Sequence, residues 1–204
     1  MKRGVGFSTQ DKILKAAKTV FFKKGYNGTR TRDIAAAADV NLAMLNYHFK
    51  SKERLFEVVM TDALDSFISV IKEVLNDPKT DFETKLEIIV SKYIDKFKEE
   101  PQLPYFVVSQ LYKSPESFAK VASQSNHVRT SLFLQQYQDG LTKGIYKPIN
   151  FLHLLMNMGG LIVFPFLISP AIKKISNVSH TEITVLMEER KNLIVGWLKK
   201  MISK

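Results

Sequence analysis

The chain has 204 residues, 45% of them hydrophobic and 25% charged, which describes a globular protein with core material for one large domain or two small ones and excludes a disordered chain. It has no cysteine, so disulfides and thiolate metal sites play no part, and its four histidines (His48, His127, His153 and His180) have no metal-ligand spacing. The net charge of +10 is uneven: residues 1 to 60 carry 12 Lys/Arg against 5 Asp/Glu, and residues 61 to 204 carry 18 against 15. A basic excess gathered in the first quarter suits a polyanion partner, because neutralised phosphates release counterions.

The basic N-terminus, Met1-Lys2-Arg3-Gly4-Val5-Gly6, is followed by no apolar run and does not read as a signal peptide. A first helix is predicted from Ser8 or Thr9, where Ser8 and Asp11 have capping-box spacing. Ile13, Leu14, Ala17 and Phe21 recur at helical spacing, and Gly25 fits the helix stop. A second short helix covers about residues 31–38, with either Thr29 or Thr31 as its cap and with Ile34, Ala35 and Ala38 facing inward. Ala38-Asp39-Val40-Asn41 forms a turn with Val40 beneath it, and Asn41 caps a third helix over about residues 42–49, anchored by Leu45 and Phe49.

Two short helices at a steep angle, the second with a polar outer face, place a helix in a DNA major groove. Duplex DNA is therefore the expected partner. Ser51 caps a fourth helix reaching about Leu75, a rod of roughly 35 Å at 1.5 Å per residue. Helical patterns follow over residues 81–97 and 105–112, then from about Glu116 to Gly140 with Phe118, Val121 and Val128 on its apolar side. Residues 148–172 contain no charged side chain, and residues 181–202 form an amphipathic helix. There is no alternating strand pattern, no glycine-rich phosphate loop and no nucleophile motif. No catalytic residue, metal or cofactor is expected, and an enzyme is not.

Ile13-Leu14-Lys15-Ala16-Ala17, Phe21-Phe22-Lys23-Lys24-Gly25-Tyr26, Arg32-Asp33-Ile34-Ala35, Asp39-Val40 and the run Leu45-Asn46-Tyr47-His48-Phe49-Lys50-Ser51-Lys52-Glu53-Arg54-Leu55-Phe56 together resemble the DNA-binding domain of the TetR/AcrR family of bacterial transcriptional regulators. The resemblance implies an all-α protein. A three-helix helix-turn-helix DNA-binding domain (residues 1–52) would be followed by a helical ligand-binding and dimerisation domain (residues 53–204). It further implies a cytoplasmic homodimer, by default a repressor, that binds a near-palindromic operator. An unknown small-molecule effector would move the fourth helix and release the DNA. Asp39 departs from the family's usual turn glycine, Arg30 from its capping Thr/Ser, Asn46 from a common tyrosine, and Leu42-Ala43-Met44 from a more polar run.

By position, Thr31, Tyr47, His48 and Lys52 are the expected phosphate donors, which set register. Arg32 and Asn46 are the expected base readers, since arginine forks onto guanine and asparagine onto adenine. Leu42, Ala43 and Met44 can read thymine methyls or exclude water. Pocket candidates are Tyr93, Phe97, Tyr105, Phe106, Tyr112, Phe133, Tyr137, Met156 and Phe164. Candidates for the dimer interface in the last two helices are Leu155, Met158, Ile162, Leu186, Ile194, Trp197 and Leu198. Residues 148–172 are also long enough to cross a bilayer, so a membrane-anchored DNA binder is the alternative. His153, Asn157, Gly159-Gly160 and Pro165 within the run favour a buried helix instead, and no membrane partner is expected.

Overall fold

The computed structural model describes residues 8–113, 115, 116, 119 and 131–204, which form helices without any strand among the described residues. The chain divides into two compact units, Met1–Asp65 and Ser66–Lys204. The division lies beyond the expected boundary after residue 52. The first half of the fourth helix buries Leu55, Val59, Ala63 and Leu64, so it belongs to the N-terminal unit.

In that unit, α1 (Thr9–Gly28) starts on the capping box its spacing implied. The Asp11 amide donates to Ser8 Oγ and the Ser8 amide donates to the Asp11 carboxylate, each at 3.1 Å. Gly25 adopts φ +68°, a left-handed conformation that interrupts the helix where the sequence predicts its stop. Two short helices follow, α2 (Thr31–Ala37) and α3 (Leu42–His48). Ile13, Phe21, Ile34, Leu45 and Leu55 are completely buried and form the core that these helices share with the start of α4 (Lys52–Asn76). Phe21 and Tyr26 both meet the Phe56 ring of α4, at 5.0 and 4.9 Å between centroids.

The second unit contains the end of α4 and five further described helices: α5 (Phe82–Glu99), α6 (Leu103–Lys113), α7 (Leu132–Thr142), α8 (Phe151–Ile175) and α9 (His180–Ile202). Of the helix expected over residues 116–140, residues 116 and 119 are helical and the description resumes at Ser131, whose hydroxyl caps α7 by accepting from the Leu134 amide at 3.2 Å. Phe118, Val121 and Val128 lie outside the described residues, as do His127 and the basic residues of the N-terminus. α5 packs on α7, α8 and α9 and buries Leu86, Ile89, Val90, Ile94 and Phe97. Along its seam with α9, Lys98 meets Glu188 at 2.7 Å, Lys191 meets Asp95 at 2.8 Å and Lys199 meets Glu87 at 2.8 Å. Such part-exposed pairs contribute only about 0–1 kcal/mol each, so the apolar seam carries the packing.

A lysine closes the corner between α4 and α5. Lys85 is fully buried, and its ammonium donates to the carbonyls of Asp77 (2.6 Å) and Thr80 (2.5 Å) and to the Thr80 hydroxyl (2.8 Å). Burial lowers its pKa, opposed by the nearby Asp77 and Asp81 charges. Gln136 of α7 donates to the same Thr80 carbonyl at 2.8 Å.

A second core cluster gathers Phe82, Phe133, Tyr137, Tyr146 and Phe151, with centroid separations of 4.7–5.8 Å. Gly140 is required there, because a Cβ on it would stand 2.2 Å from the Tyr146 ring. Gly140→Ala is expected to destabilise the second unit by about 1–3 kcal/mol, the usual range for overpacking; thermal unfolding of the variant beside the parent chain measures it.

Candidate nucleic-acid interface and effector cavity

The turn between α2 and α3 is closed by backbone bonds from Ala38 to Ile34 (2.9 Å), Asp39 to Ala36 (3.2 Å) and Val40 to Ala35 (3.0 Å). This geometry puts Asp39 at φ +54°, in the left-handed region that aspartate tolerates better than most residues. Val40 is half-buried rather than enclosed beneath the turn. The Asn41 side chain accepts from the Met44 amide at 2.7 Å and so fixes the start of α3.

Leu45 and Phe49 face inward, which turns the other side of α3 to solvent. Leu42, Ala43, Met44 and Asn46 are exposed, Tyr47 is 80% exposed, and the half-buried His48 ring meets Tyr47 edge-on at 5.3 Å. At the start of α2, Arg32 is exposed and Thr31 half-exposed. Neither threonine caps α2. Its N-cap is Arg30, without a side-chain cap bond, and the buried Thr29 hydroxyl donates to the Gly25 carbonyl at 2.7 Å.

Lys52 is placed differently from a free surface lysine. Its ammonium donates to the carbonyls of Tyr26 and Thr29, both at 3.1 Å, and lies 4.1 Å from the centroid of the Tyr26 ring. The Tyr26 hydroxyl donates to the Glu53 carboxylate. That bond is the main reason the Glu53 pKa is lowered and the Tyr26 pKa raised. Nearby, Lys24 and Asp33 pair at 2.7 Å, and the bond from Lys24 holds the Asp33 carboxyl below its usual range. Tyr26 and Glu53 were not among the sequence candidates. They are separated by 27 residues, and no local spacing announces a contact of that range.

The second unit holds an open-sided cavity of about 460 Å³, walled by Phe67 of α4, Phe97 of α5, Val107 and Leu111 of α6, and Gly160 and Phe164 of α8. Of the aromatic pocket candidates, Phe97 and Phe164 reach it. Tyr93 and Phe106 are buried core, with Tyr93 packed on Phe67 and Phe97. Burial raises the Tyr93 pKa well above its ordinary value. Phe133 and Tyr137 belong instead to the separate aromatic cluster around Phe82. Tyr105, Tyr112 and Met156 point into solvent, Tyr112 with 89% of its surface exposed. The sequence did hold one unused signal for the cavity, the Gly159-Gly160 pair inside an otherwise bulky apolar run.

The interface candidates also divide. Met158, Ile162, Ile194 and Leu198 are buried within their own subunit, since four-residue spacing puts each pair on an inner helix face. Leu186 and Trp197 are exposed and Leu155 is half-exposed. Leu152 and Met156 on α8, with Val185 and Leu193 on α9, extend the exposed apolar rows. By length and hydropathy α8 could cross a bilayer. It packs, however, on α5, α6 and α9 through Leu154, Met158, Ile162 and Pro165. Arg190 of α9 also donates to its Leu161 carbonyl at 3.0 Å. The membrane-anchored alternative therefore draws no support from the fold.

Residues 13–59 match the family described as bacterial regulatory proteins, tetR family, and this span contains α2, the turn, α3 and the Tyr26–Lys52–Glu53 contacts. The chain carries a TetR-family DNA-binding domain. It is 25% identical over 161 residues, 78% of either chain, to the probable HTH-type transcriptional regulator YttP of Bacillus subtilis. It is 31% identical over 110 residues to the biofilm operon icaADBC HTH-type negative transcriptional regulator IcaR of Staphylococcus aureus, covering 54% of this chain and 57% of that one. The ketosteroid transcriptional regulator KstR2 of Mycobacterium tuberculosis shares the fold, with a TM-score of 0.70 over 98% of both chains at 16% identity. TetR relatives are thus named as transcriptional regulators and not as enzymes.

The Tyr26–Glu53 bond generates a pH prediction. A carboxyl whose folded pKa is depressed contributes stability that is present above its unfolded pKa and lost as the pH falls through the folded one. Tyr26→Phe is expected to lower the Tm at neutral pH, and the gap to the parent chain to narrow as the pH falls below the ordinary glutamate range. A gap independent of pH would show that the bond does not contribute.

Proposed function

We propose that this TetR-family regulator is a cytoplasmic repressor that binds a near-palindromic operator as a homodimer and is released by a small molecule. The observation that carries the DNA-binding part is the exposed outer face of α3, held at one end by the Asn41 cap and beneath by Leu45 and Phe49. Thr31, Tyr47 and His48 serve as phosphate donors, while Arg32 and Asn46 read bases. Leu42, Ala43 and Met44 supply an apolar edge suited to thymine methyls. Lys52 takes a positioning role in this proposal, because its ammonium is already engaged by two carbonyls and the Tyr26 ring. A relative named as a negative transcriptional regulator, IcaR, supports repression as the default.

Selection of bound duplexes from a random pool tests the reading, which expects two inverted half-sites; a pool that stays random would overturn it. On the selected operator, Asn46→Ala should relax preference at one position per half-site, a loss of about 1–3 kcal/mol of discrimination. Lys52→Ala should weaken binding but leave the salt dependence unchanged. A direct phosphate contact would make the slope shallower by about 0.9.

The dimer part rests on the exposed rows of α8 and α9, which leave large apolar side chains in water in a single subunit. Leu193→Asp together with Trp197→Asp should leave the subunit folded, because both residues lie outside its core. The pair should shift sedimentation from dimer to monomer and reduce operator affinity, since two joined heads raise each other's effective concentration. A variant that sediments as a dimer would place the interface elsewhere.

A further inference from the structure

We infer that the effector is an uncharged, lipophilic molecule whose hydrocarbon body fills the cavity of the second unit; this rests on the ligand-responsive reading above and names the chemistry of its ligand. The volume of about 460 Å³ lies within the roughly 300–1,000 Å³ of small-molecule sites. What sets this cavity apart is its lining. Every described residue on its wall is apolar, from Phe67 and Phe97 through the α6 side chains to Gly159 and Gly160. Those wall residues lie within α4, α5, α6 and α8, and the surface they turn to the cavity is almost entirely carbon. A ligand there meets no donor, acceptor or counter-charge from the described wall, so a buried charge or an unpaired polar group is rejected.

The shape of the wall agrees with this. The Phe97 ring lies parallel to Phe67, 6.1 Å away, and edge-on to Phe166 at 5.3 Å, which gives a flat, fixed aromatic side. Opposite, α8 offers a bare patch, where a Cβ added at Gly159 or Gly160 would meet nothing within 4 Å. Val108, Leu111 and Phe164 are partly exposed and form an apolar mouth. None of these three side chains can pair with a charged head group. Phe67 belongs to the same helix whose first turn carries Lys52 and Glu53, so a molecule pressing on it acts on the element that bonds the α1–α2 corner.

Fluorescence titration of the full chain with the neutral probe N-phenyl-1-naphthylamine tests the inference. Displacement follows with 1-dodecanol, dodecyl phosphate and dodecyltrimethylammonium, each below its micelle concentration. The probe should bind and dodecanol should displace it, while both charged chains should need at least about tenfold more. Val107→Trp, which fills the cavity, should weaken the probe by about tenfold or more, with helicity by circular dichroism as the control for folding. Should that variant unfold, Leu111→Glu replaces it: a carboxylate on the part-exposed mouth should weaken the neutral probe and favour the ammonium chain. Equal displacement by dodecyl phosphate, or probe binding unchanged in the folded variant, overturns the inference. Dodecanol that binds without releasing the selected operator would leave the ligand class standing and remove the ligand-responsive reading. An operator-binding chain that takes up no probe would do the reverse.

Discussion

The peptide carbonyls left over where one helix ends and another begins must find donors, and in both units an inward lysine supplies them. Lys52 bonds the carbonyls of Tyr26 and Thr29 beyond the Gly25 break, and Lys85 bonds those of Asp77 and Thr80 between α4 and α5. An ammonium is suited to this task, with three donors on a flexible stem and a charge that strengthens each bond. Its desolvation is the opposing cost, visible in the lowered pKa of Lys85. Without these two lysines the corners would lose the charged donors that tie their carbonyls together, and the hold on the helices meeting there would weaken.

The first corner matters for function because α2 and α3 hang from it. The Thr29 hydroxyl, the Lys52 ammonium and the Tyr26–Glu53 bond join the end of α1 to the first turn of α4. A regulator needs its reading helix firm yet responsive. Here the firmness comes from the Leu45 and Phe49 anchors and the Asn41 cap, and in the proposed function the responsive element is the helix that begins at Lys52. The same helix carries Phe67 onto the wall of the apolar cavity.

In α8 and α9, one apolar sequence serves three purposes that composition does not separate. Leu154, Met158 and Ile162 close the subunit core, Gly160 and Phe164 wall the cavity, and Leu152 and Met156 face outward. Each set recurs at helical spacing, and a helix that is apolar on every side carries no mark of which face meets what. That is why Met158 and Ile162 of α8 read as interface candidates although the structure buries them in the subunit core.

The sequence by itself determined the DNA-reading head. The Ser8–Asp11 box, the Gly25 stop, the Asn41 cap and the Leu45–Phe49 anchor are all relations within a few residues, which local steric and hydrogen-bonding rules make legible. Its all-helical class followed from the same short-range periodicity. Only the tertiary structure decided that Lys52 turns to Tyr26 and Thr29, that Lys85 is buried, and that Phe67 and Phe164 share a cavity while Tyr112 and Met156 lie in water. Those contacts join residues far apart in the chain, and their existence depends on how whole helices pack rather than on any spacing along the sequence.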